Sequence, residues 1–320
     1  MEITPEIKEK LEKLNDKYAA LGQDLNSYLE GLLYADTVKY WDYIAVDTLL
    51  SLQKPRTSFP DEVIFIMYHQ ITELYFKLAL REFEQIAENK NLDATFLTER
   101  TNRINRYFEA LTKSFEIMVQ GMEKEQFLKF RMSLLPASGF QSAQYRLIEM
   151  ASADFINLVH KDVRENFTGE EPIAELYEHI YWKEGATELS SGKKTLTLEE
   201  FEKRYSEEFI AFGEKHRTCN LWQSYKSLSE ADQKDEALIK AMKQNDVNVN
   251  INWPLVHYKS AVRYLHKDPS DIAATGGTNW QKYLPPRFQK RIFYPELWAA
   301  SERENWGRSW VEEVMGEIKK

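Results

Sequence analysis

Glycine is scarce in this chain: only 12 of its 320 residues are Gly, and none lies between Gly31 and Gly121. Proline is also sparse, with 10 residues. Sandwiches, barrels and propellers with many strands need numerous tight turns, and glycine supplies the backbone conformations for most of them. The scarcity therefore argues against those folds, and against a glycine-rich phosphate loop in the glycine-free stretch. We predict an all-α protein.

Cysteine and positive charge are also in short supply. The single Cys219 excludes an internal disulfide and a zinc site built from several cysteines. The formal net charge is −9, which disfavours nucleic acid as a partner, because such binding depends on neutralising phosphates. No apolar run approaches the ~18 residues of a membrane span, and no apolar secretory signal is visible at the start. We expect a cytoplasmic protein that binds neither nucleic acid nor a membrane.

Hydrophobic periodicity indicates where the helices lie. Residues 4–34 are predicted to form one charged amphipathic helix, capped by Thr4 and started by Pro5. The segment from Asp61 to about Asn89 is apolar on nearly every side, which is typical of a central, buried helix. Further helical segments are predicted at 94–121, 140–165 and 197–245 (as a charged hairpin). The last third, 249–318, is predicted to form a helix through His257, then a Gly-containing loop, then one or two helices rich in Trp. We expect a helical N-terminal arm, 1–35, and one all-α domain, 36–320, with a helical insertion around 166–248.

Histidine is the first residue type that can carry chemistry here. None of the six histidines forms an HExxH, HxxxH or Glu-x-x-His pair, so zinc-hydrolase and di-iron interpretations find no support. Two of them, His69 and His257, lie in strongly apolar helical segments. Such a histidine is either an ordinary core residue or a ligand. A haem iron takes one protein imidazole while a second can line the opposite face, so haem binding is one interpretation of the pair.

A second feature is the spacing of Phe127 and Arg131, which are four residues apart and would share one helix face. An arginine beside an apolar ring suits a carboxylate attached to an aromatic body. The alternative is a surface arginine paired with an acidic neighbour. Ser138 and Gly139 then predict a tight turn at a helix start, where the backbone can approach a flat ligand.

A third feature is the loop at Thr275, which is followed by the only Gly-Gly pair in the chain. Such a loop can present N–H groups and a hydroxyl to a polar group, or serve as a flexible connector. The three features occur together, and over roughly residues 36–300 the chain resembles the tryptophan 2,3-dioxygenase family. The segments that carry the resemblance are Tyr40-x-x-Tyr43-Ile44, Asp61-Glu62-x-x-Phe65-Ile66-x-x-His69-Gln70, Phe130-Arg131, Pro136-Ala137-Ser138-Gly139-Phe140-Gln141-Ser142, Trp253-x-x-x-His257 and Thr275-Gly276-Gly277.

The resemblance implies a helical bundle that encloses one b-type haem per subunit. It also implies an enzyme that uses O₂ to cleave the indole C2–C3 bond of L-tryptophan and so forms N-formylkynurenine, the first step of tryptophan catabolism by the kynurenine route. The family's assembly would make this chain a homotetramer, built as a dimer of dimers.

The resemblance also implies a role for each matching residue. His257 would ligate the haem iron, and Trp253, Ser138 and Gly139 would lie against the haem. His69, on the opposite side, would contact the indole N–H, where it would act as the catalytic residue.

The substrate would be held by the remaining matches. Phe65 and Phe127 would flank the indole, Arg131 would hold the substrate carboxylate, and Thr275 would contact its ammonium or carboxylate group. The arm residues, which would reach a neighbouring subunit's pocket, are Tyr40, Tyr43 and Ile44.

The chain departs from the family pattern in the loop near Thr275. Ala274 precedes Thr275 where a glycine is usual, Thr278 replaces a serine, and the stretch between His257 and Thr275 is longer. These departures leave two alternatives open. One is a divergent member that oxidises a modified indole or another indole amino acid, and the other is a non-catalytic haem-binding helical protein.

Overall fold

The structure, a computed structural model, describes residues 3–134, 141–186, 193–266 and 290–307, without the side chains of residues 184 and 185. Within these ranges the chain forms helices, with an isolated bridge between Val159 and Ile180. The predicted all-α fold is confirmed. The chain divides into two compact units, residues 1–53 and 54–320.

The first unit consists of short helices that bury none of their residues: α1 (Pro5–Ala19), α2 (Leu25–Tyr34), α3 (Tyr40–Tyr43) and α4 (Val46–Leu50). Thr4 caps α1 and Pro5 starts it, as predicted. The prediction of a single helix over 4–34 is wrong. Gly22 adopts the left-handed φ of +68°, which ends a helix readily, and Asp24 then caps the start of α2.

The second unit begins with the helices that carry half of the candidate site: α5 (Asp61–Glu88), α6 (Ala94–Ser114), α7 (Glu116–Gln120), α8 (Lys124–Phe130) and a 3₁₀ turn (Arg131–Leu134). Asp61 and Glu62 place negative charge in the first turn of α5, where the helix dipole favours it. Asp93 caps α6 by accepting the Phe96 N–H at 2.7 Å.

The later elements of this unit are mostly shorter: α9 (Ala143–Ser152), 3₁₀ turns Phe155–Leu158 and Arg164–Asn166, α10 (Ile173–Glu178), α11 (Tyr181–Gly185), α12 (Leu196–His216), α13 (Leu221–Lys226), α14 (Glu230–Gln233), α15 (Glu236–Val247), a π-helical turn (Asn248–Asn252), α16 (Trp253–Leu265), a 3₁₀ turn (Pro295–Leu297) and α17 (Ala300–Glu304). The π-helical turn joins α15 directly to α16, so these three elements form one continuous helical rod.

The core of the second unit forms around α5 and α6. Helix α5 packs along α6 and α9, α15 packs on α6, and α16 packs against α6, α7 and α8. Phe76 of α5 and Phe108 of α6 are fully buried, with ring centroids 5.9 Å apart. Burying one such ring stabilises the fold by about 1.5–3 kcal/mol. In the described ranges no helix combines the length and the apolar character needed to cross a membrane.

Three expectations about the helices need correction. Helix α5 has the predicted bounds but is not buried all round, because one of its faces is exposed at Met67, Ile71, Leu74 and Leu78. The helix predicted at 140–165 ends at Ser152 and gives way to 3₁₀ turns. The predicted hairpin over 197–245 is also wrong, since α12 packs mainly on α9 and α15 mainly on α6. Periodicity identifies an apolar face but not the helix that covers it.

Candidate functional site

Helix α5 places Phe65 and His69 one turn apart on the same face. Their ring centroids are 4.1 Å apart, and the His69 Nδ1–H donates to the Phe65 carbonyl oxygen at 2.7 Å. Because a carbonyl oxygen can only accept, this contact assigns the proton of the neutral ring to Nδ1 and leaves the lone pair on Nε2. His69 is therefore oriented as a hydrogen-bond acceptor toward whatever faces Nε2.

The surroundings of His69 favour its neutral form. Desolvation by the surrounding protein lowers the pKa of His69, against the smaller raising effects of the Phe65 carbonyl and the Glu73 charge. Yet the side chain is exposed to solvent. The neighbouring protein atoms therefore disfavour the charged ring although they do not cover it.

Helix α16 presents His257 in the same manner. The His257 Nδ1–H donates to the Trp253 carbonyl oxygen at 2.8 Å, so Nε2 again holds the lone pair. Burial lowers the pKa of His257 to about 4, and charge on His69 disfavours charge on His257 as well. The pKa of His257 therefore responds to charge on His69, although the two residues lie far apart in the sequence.

Aromatic side chains connect the two histidines. Tyr68 meets the His69 ring edge-on at 6.5 Å and the Phe115 ring at 5.6 Å. Phe115 in turn lies 4.4 Å from the His257 ring, and Trp253 packs edge-on against the same ring at 4.4 Å. A continuous chain of aromatic contacts therefore runs through the protein interior from His69 to His257.

Helix α8 and the residue after it, Arg131, lie at the Phe65 end of this chain of rings. The Phe65 ring lies 6.3 Å from Phe127 and 5.8 Å from Phe130, and the backbone N–H of Arg131 donates to the Phe127 carbonyl oxygen. Arg131 is only 7% exposed, and burial lowers its pKa. An arginine that remains charged at neutral pH in such a place suits an anionic partner.

Two buried carboxyl groups at the start of α5 hold it in place. Asp61 accepts the Glu123 N–H at 2.6 Å, which ties α5 to α8. Glu62 accepts the N–H groups of Arg56 and Thr57 at 2.8 and 2.7 Å. Burial alone would raise the pKa of Glu62, but these bonds and the Thr57 hydroxyl lower it on balance.

The structure thus connects the predicted residues Phe65, His69, Phe127, Trp253 and His257 through ring contacts, and Arg131 adjoins them through its backbone bond to Phe127. Ser138, Gly139 and Thr275 lie outside the described residues. Tyr40, Tyr43 and Ile44 belong to the first unit, where Tyr40 and Tyr43 are 73% and 81% exposed.

The residues that connect or anchor the site were not predicted from the sequence. Tyr68 and Phe115 join the two histidines, and Phe130 packs on Phe65. Tyr68 and Phe115 carry no signal in the sequence, because an aromatic residue on a helix is usually core. Asp61 and Glu62 lie in a segment that carries the family resemblance, and their position there could have indicated a role in the site.

The donor set fits a haem better than a bare metal ion. Among the described residues no three His, Cys, Asp or Glu side chains are grouped to hold an ion. A haem iron requires only one imidazole nitrogen with a lone pair, and His257 Nε2 supplies it. The apolar rings beside His257 suit the macrocycle.

A model of the tryptophan 2,3-dioxygenase family matches residues 31–251. His69 and Arg131 lie within that range, whereas His257 and Thr275 follow it. Proteins named tryptophan 2,3-dioxygenase are similar to parts of the chain. The one from Ruegeria sp. (strain TM1040) is 38% identical over 117 residues, 36% of this chain and 42% of the relative.

Two further relatives bear the same name. The protein from Sorangium cellulosum (strain So ce56) is 40% identical over 124 residues, 35% of this chain and 30% of the relative. The one from Bacillus anthracis is 36% identical over 122 residues, 37% of this chain and 42% of the relative. The alignments thus span less than half the length of these relatives. The family model nevertheless covers more than half of the chain, and the chain belongs to the tryptophan 2,3-dioxygenase family.

Proposed function

We propose that this protein is a haem-dependent dioxygenase that uses O₂ to cleave the indole C2–C3 bond of L-tryptophan and forms N-formylkynurenine. The observation that carries the proposal is the pair of neutral histidines, His69 and His257, which aromatic contacts connect and which each have Nδ1–H bound to a backbone carbonyl. One nitrogen is then suited to iron and the other to an N–H donor. The family membership of the chain supports the same reaction.

His257 would hold one haem b per subunit through Nε2, with Trp253 packed against the ligating ring. Ser138 and Gly139 are proposed to lie against the same haem. The bound haem supplies the site at which O₂ is activated. The low pKa of His257 keeps its ring neutral, so no proton competes for the ligating nitrogen at neutral pH.

The other residues of the site bind and orient the substrate. The rings of Phe65 and Phe127 would flank the indole and exclude water from it. His69 Nε2 would accept the indole N–H, which fixes the rotation of the ring. Arg131 would pair with the carboxylate, and Thr275 would contact the ammonium or carboxylate group. These contacts orient the indole without a nucleophile or a strong base.

We further propose that the first unit contacts another copy of the chain. Its helices bury none of their residues, so apolar side chains such as Leu33 and Tyr34, more than 80% exposed, need a partner surface. Tyr40, Tyr43 and Ile44 would reach a neighbouring subunit's pocket in a homotetramer arranged as a dimer of dimers. The cytoplasm remains the predicted location.

The proposal is tested by loading the full chain with haem and assaying L-tryptophan under O₂, with the product identified by mass spectrometry. We expect a product that has gained both atoms of O₂. A product with one added oxygen would contradict the proposal and favour the divergent oxygenase. A Soret band without any turnover of L-tryptophan would favour the haem carrier, and D-tryptophan and substituted indoles would define the substrate range.

A further inference from the structure

The helical rod that carries His257 contains an irregular turn just before it. Residues Asn248–Asn252 form a π-helical turn, in which the Trp253 N–H donates to the Asn248 carbonyl five positions back. Such a turn holds one residue more than an α-helical turn, so it rotates every later side chain by about 100°. The direction in which His257 points therefore depends on this turn.

The size of the rotation can be stated for His257 relative to Asp246. The two residues are 11 positions apart, and in an unbroken α-helix they would point within about 20° of each other. Asp246 accepts the N–H groups of Phe293 and Tyr294 at 3.0 and 3.3 Å. His257 instead packs on Phe115. The one extra residue of the π-helical turn changes that angle by about 100°.

Pro254 removes one backbone hydrogen bond from the π-helical turn. Proline has no N–H, so the next bond of the π pattern, from residue 254 to the Val249 carbonyl, cannot form. The Tyr145 hydroxyl of α9 donates to that Val249 carbonyl instead, at 2.9 Å. A side chain from another helix thus supplies the hydrogen bond that the backbone cannot.

Arg291 braces the same turn from a third part of the chain. Its Nη2 donates to the Tyr145 hydroxyl oxygen at 2.9 Å, and its Nε donates to the side-chain oxygen of Asn250. Its Nη1 pairs with Glu149 at 2.6 Å. Tyr145, Glu149, Asn250 and Arg291 are all buried, so these bonds are shielded from water and are costly to leave unmade.

We propose that Tyr145 and Arg291 are positioning residues for the proposed haem ligand, and that they act through the π-helical turn by replacing the hydrogen bond that Pro254 cannot make. The inference rests on the proposed function only in assuming that His257 binds haem. The hydrogen bonds of Tyr145 and Arg291 to the turn, here called the brace, can be tested with or without haem.

The test compares two substitutions that each delete one buried hydroxyl. Tyr145→Phe removes the bond to Val249 and keeps the ring, which packs 5.5 Å from Phe76. Tyr181→Phe is the matched control, because the Tyr181 hydroxyl donates to Glu149 at 2.6 Å and accepts from Arg146 at 2.7 Å. Both variants disturb the same buried ion cluster, but only the first touches the turn.

We expect Tyr145→Phe to release haem to excess apomyoglobin about tenfold faster than the unaltered chain. This is the lower end of the effects seen when a residue that orients a metal ligand is removed. The iron–imidazole stretching band of the ferrous protein should shift in Tyr145→Phe and stay in place in Tyr181→Phe, even if both variants melt at lower temperature. Equal effects of the two substitutions on haem release and on the band would overturn the proposal.

A rescue variant makes the test specific to the turn. Pro254→Ala restores a backbone N–H, so in the Tyr145→Phe background it should slow haem release toward the unaltered rate. Purely additive losses in this double-mutant cycle would contradict the proposal. If the unaltered chain binds no haem, the proposed function fails. Hydrogen exchange of the Trp253 backbone amide then tests the brace without haem. The exchange should be faster in Tyr145→Phe than in Tyr181→Phe, and equal rates would refute the brace.

Discussion

Helix α5, which carries His69, and helix α16, which carries His257, present their histidines through the same backbone hydrogen bond but are anchored by carboxyl groups of opposite character. Glu62 at the start of α5 has a lowered pKa, because hydrogen-bond donors outweigh its burial. Asp246, in the rod that leads to α16, has its pKa raised to about 6 because burial outweighs its four hydrogen-bond donors.

Two histidines with the same backbone hydrogen bond are thus held in place by different local structures. The α5 side is regular, with His69 exposed on an unbroken helix. The α16 side follows a π-helical turn and a proline, and it depends on side chains from elsewhere. We therefore expect changes on the α16 side to affect haem, and changes on the α5 side to affect the substrate.

The largest expected effect is that of His257→Ala, which removes the only imidazole proposed to ligate the iron. We expect the purified variant to show no stable Soret band after haem loading. His69→Ala is the counterpart on α5 and should keep the band while it slows turnover. His266→Ala, an exposed change at the end of α16, controls for general damage. A normal five-coordinate ferrous spectrum in His257→Ala would show that His257 does not ligate the iron.

The next effect is that of Arg131→Ala on tryptophan binding. Loss of a hydrogen bond to a charged group costs about 1.5–3 kcal/mol, so the dissociation constant should rise roughly 10- to 150-fold. Titration of the haem spectrum with L-tryptophan measures it. Lys129→Ala removes an exposed cation two residues away and should leave the constant unchanged. An unaltered dissociation constant in Arg131→Ala would remove this residue from the site.

Asp246 gives a pH-dependent effect on stability. Its folded pKa of about 6 exceeds the ordinary 3.8, so the folded state holds a proton that the unfolded state releases between these values. Stability should therefore fall as pH rises through this window, by up to about 1.4 kcal/mol per pH unit. Urea unfolding at several pH values should show this decline relative to Asp246→Asn.

The exposed Glu236→Gln on the same helix serves as the control and should follow the unaltered chain. A difference between the unaltered chain and Asp246→Asn that does not vary with pH would show that folding leaves the pKa of Asp246 at its ordinary value.

Glu62 should give the smallest effect, with the opposite sign. Its folded pKa is lowered from 4.5, so its contribution is present above 4.5 and is lost as pH falls through the folded value. Glu62→Gln should lower the free energy of unfolding by about 1 kcal/mol at pH 7, and this deficit should shrink in acid. The exposed Glu88→Gln at the other end of α5 should show neither change. A deficit that persists unchanged in acid would mean that the carboxylate charge does not hold this helix end.

Much of the site could be predicted from local patterns. The apolar segments around His69 and His257 indicated two helices, and the four-residue spacing predicted that Phe127 and Arg131 share one helix face. Gly22 was present in the sequence, but the apolar period continued across it, and the break between α1 and α2 was missed. The exposed stripe of α5 was missed because an apolar residue carries no sign of whether a neighbour covers it.

By itself, the sequence determined the helical class, the family resemblance and the residue types available for the site, since these depend on composition and on spacing along one chain. Only the tertiary structure decided that Phe115 lies between Tyr68 and His257, and that a hydroxyl from α9 replaces the N–H missing at Pro254. Those contacts join residues far apart in the chain. Helical periodicity specifies which face a side chain occupies, whereas packing and the pairing of buried polar groups select what meets it.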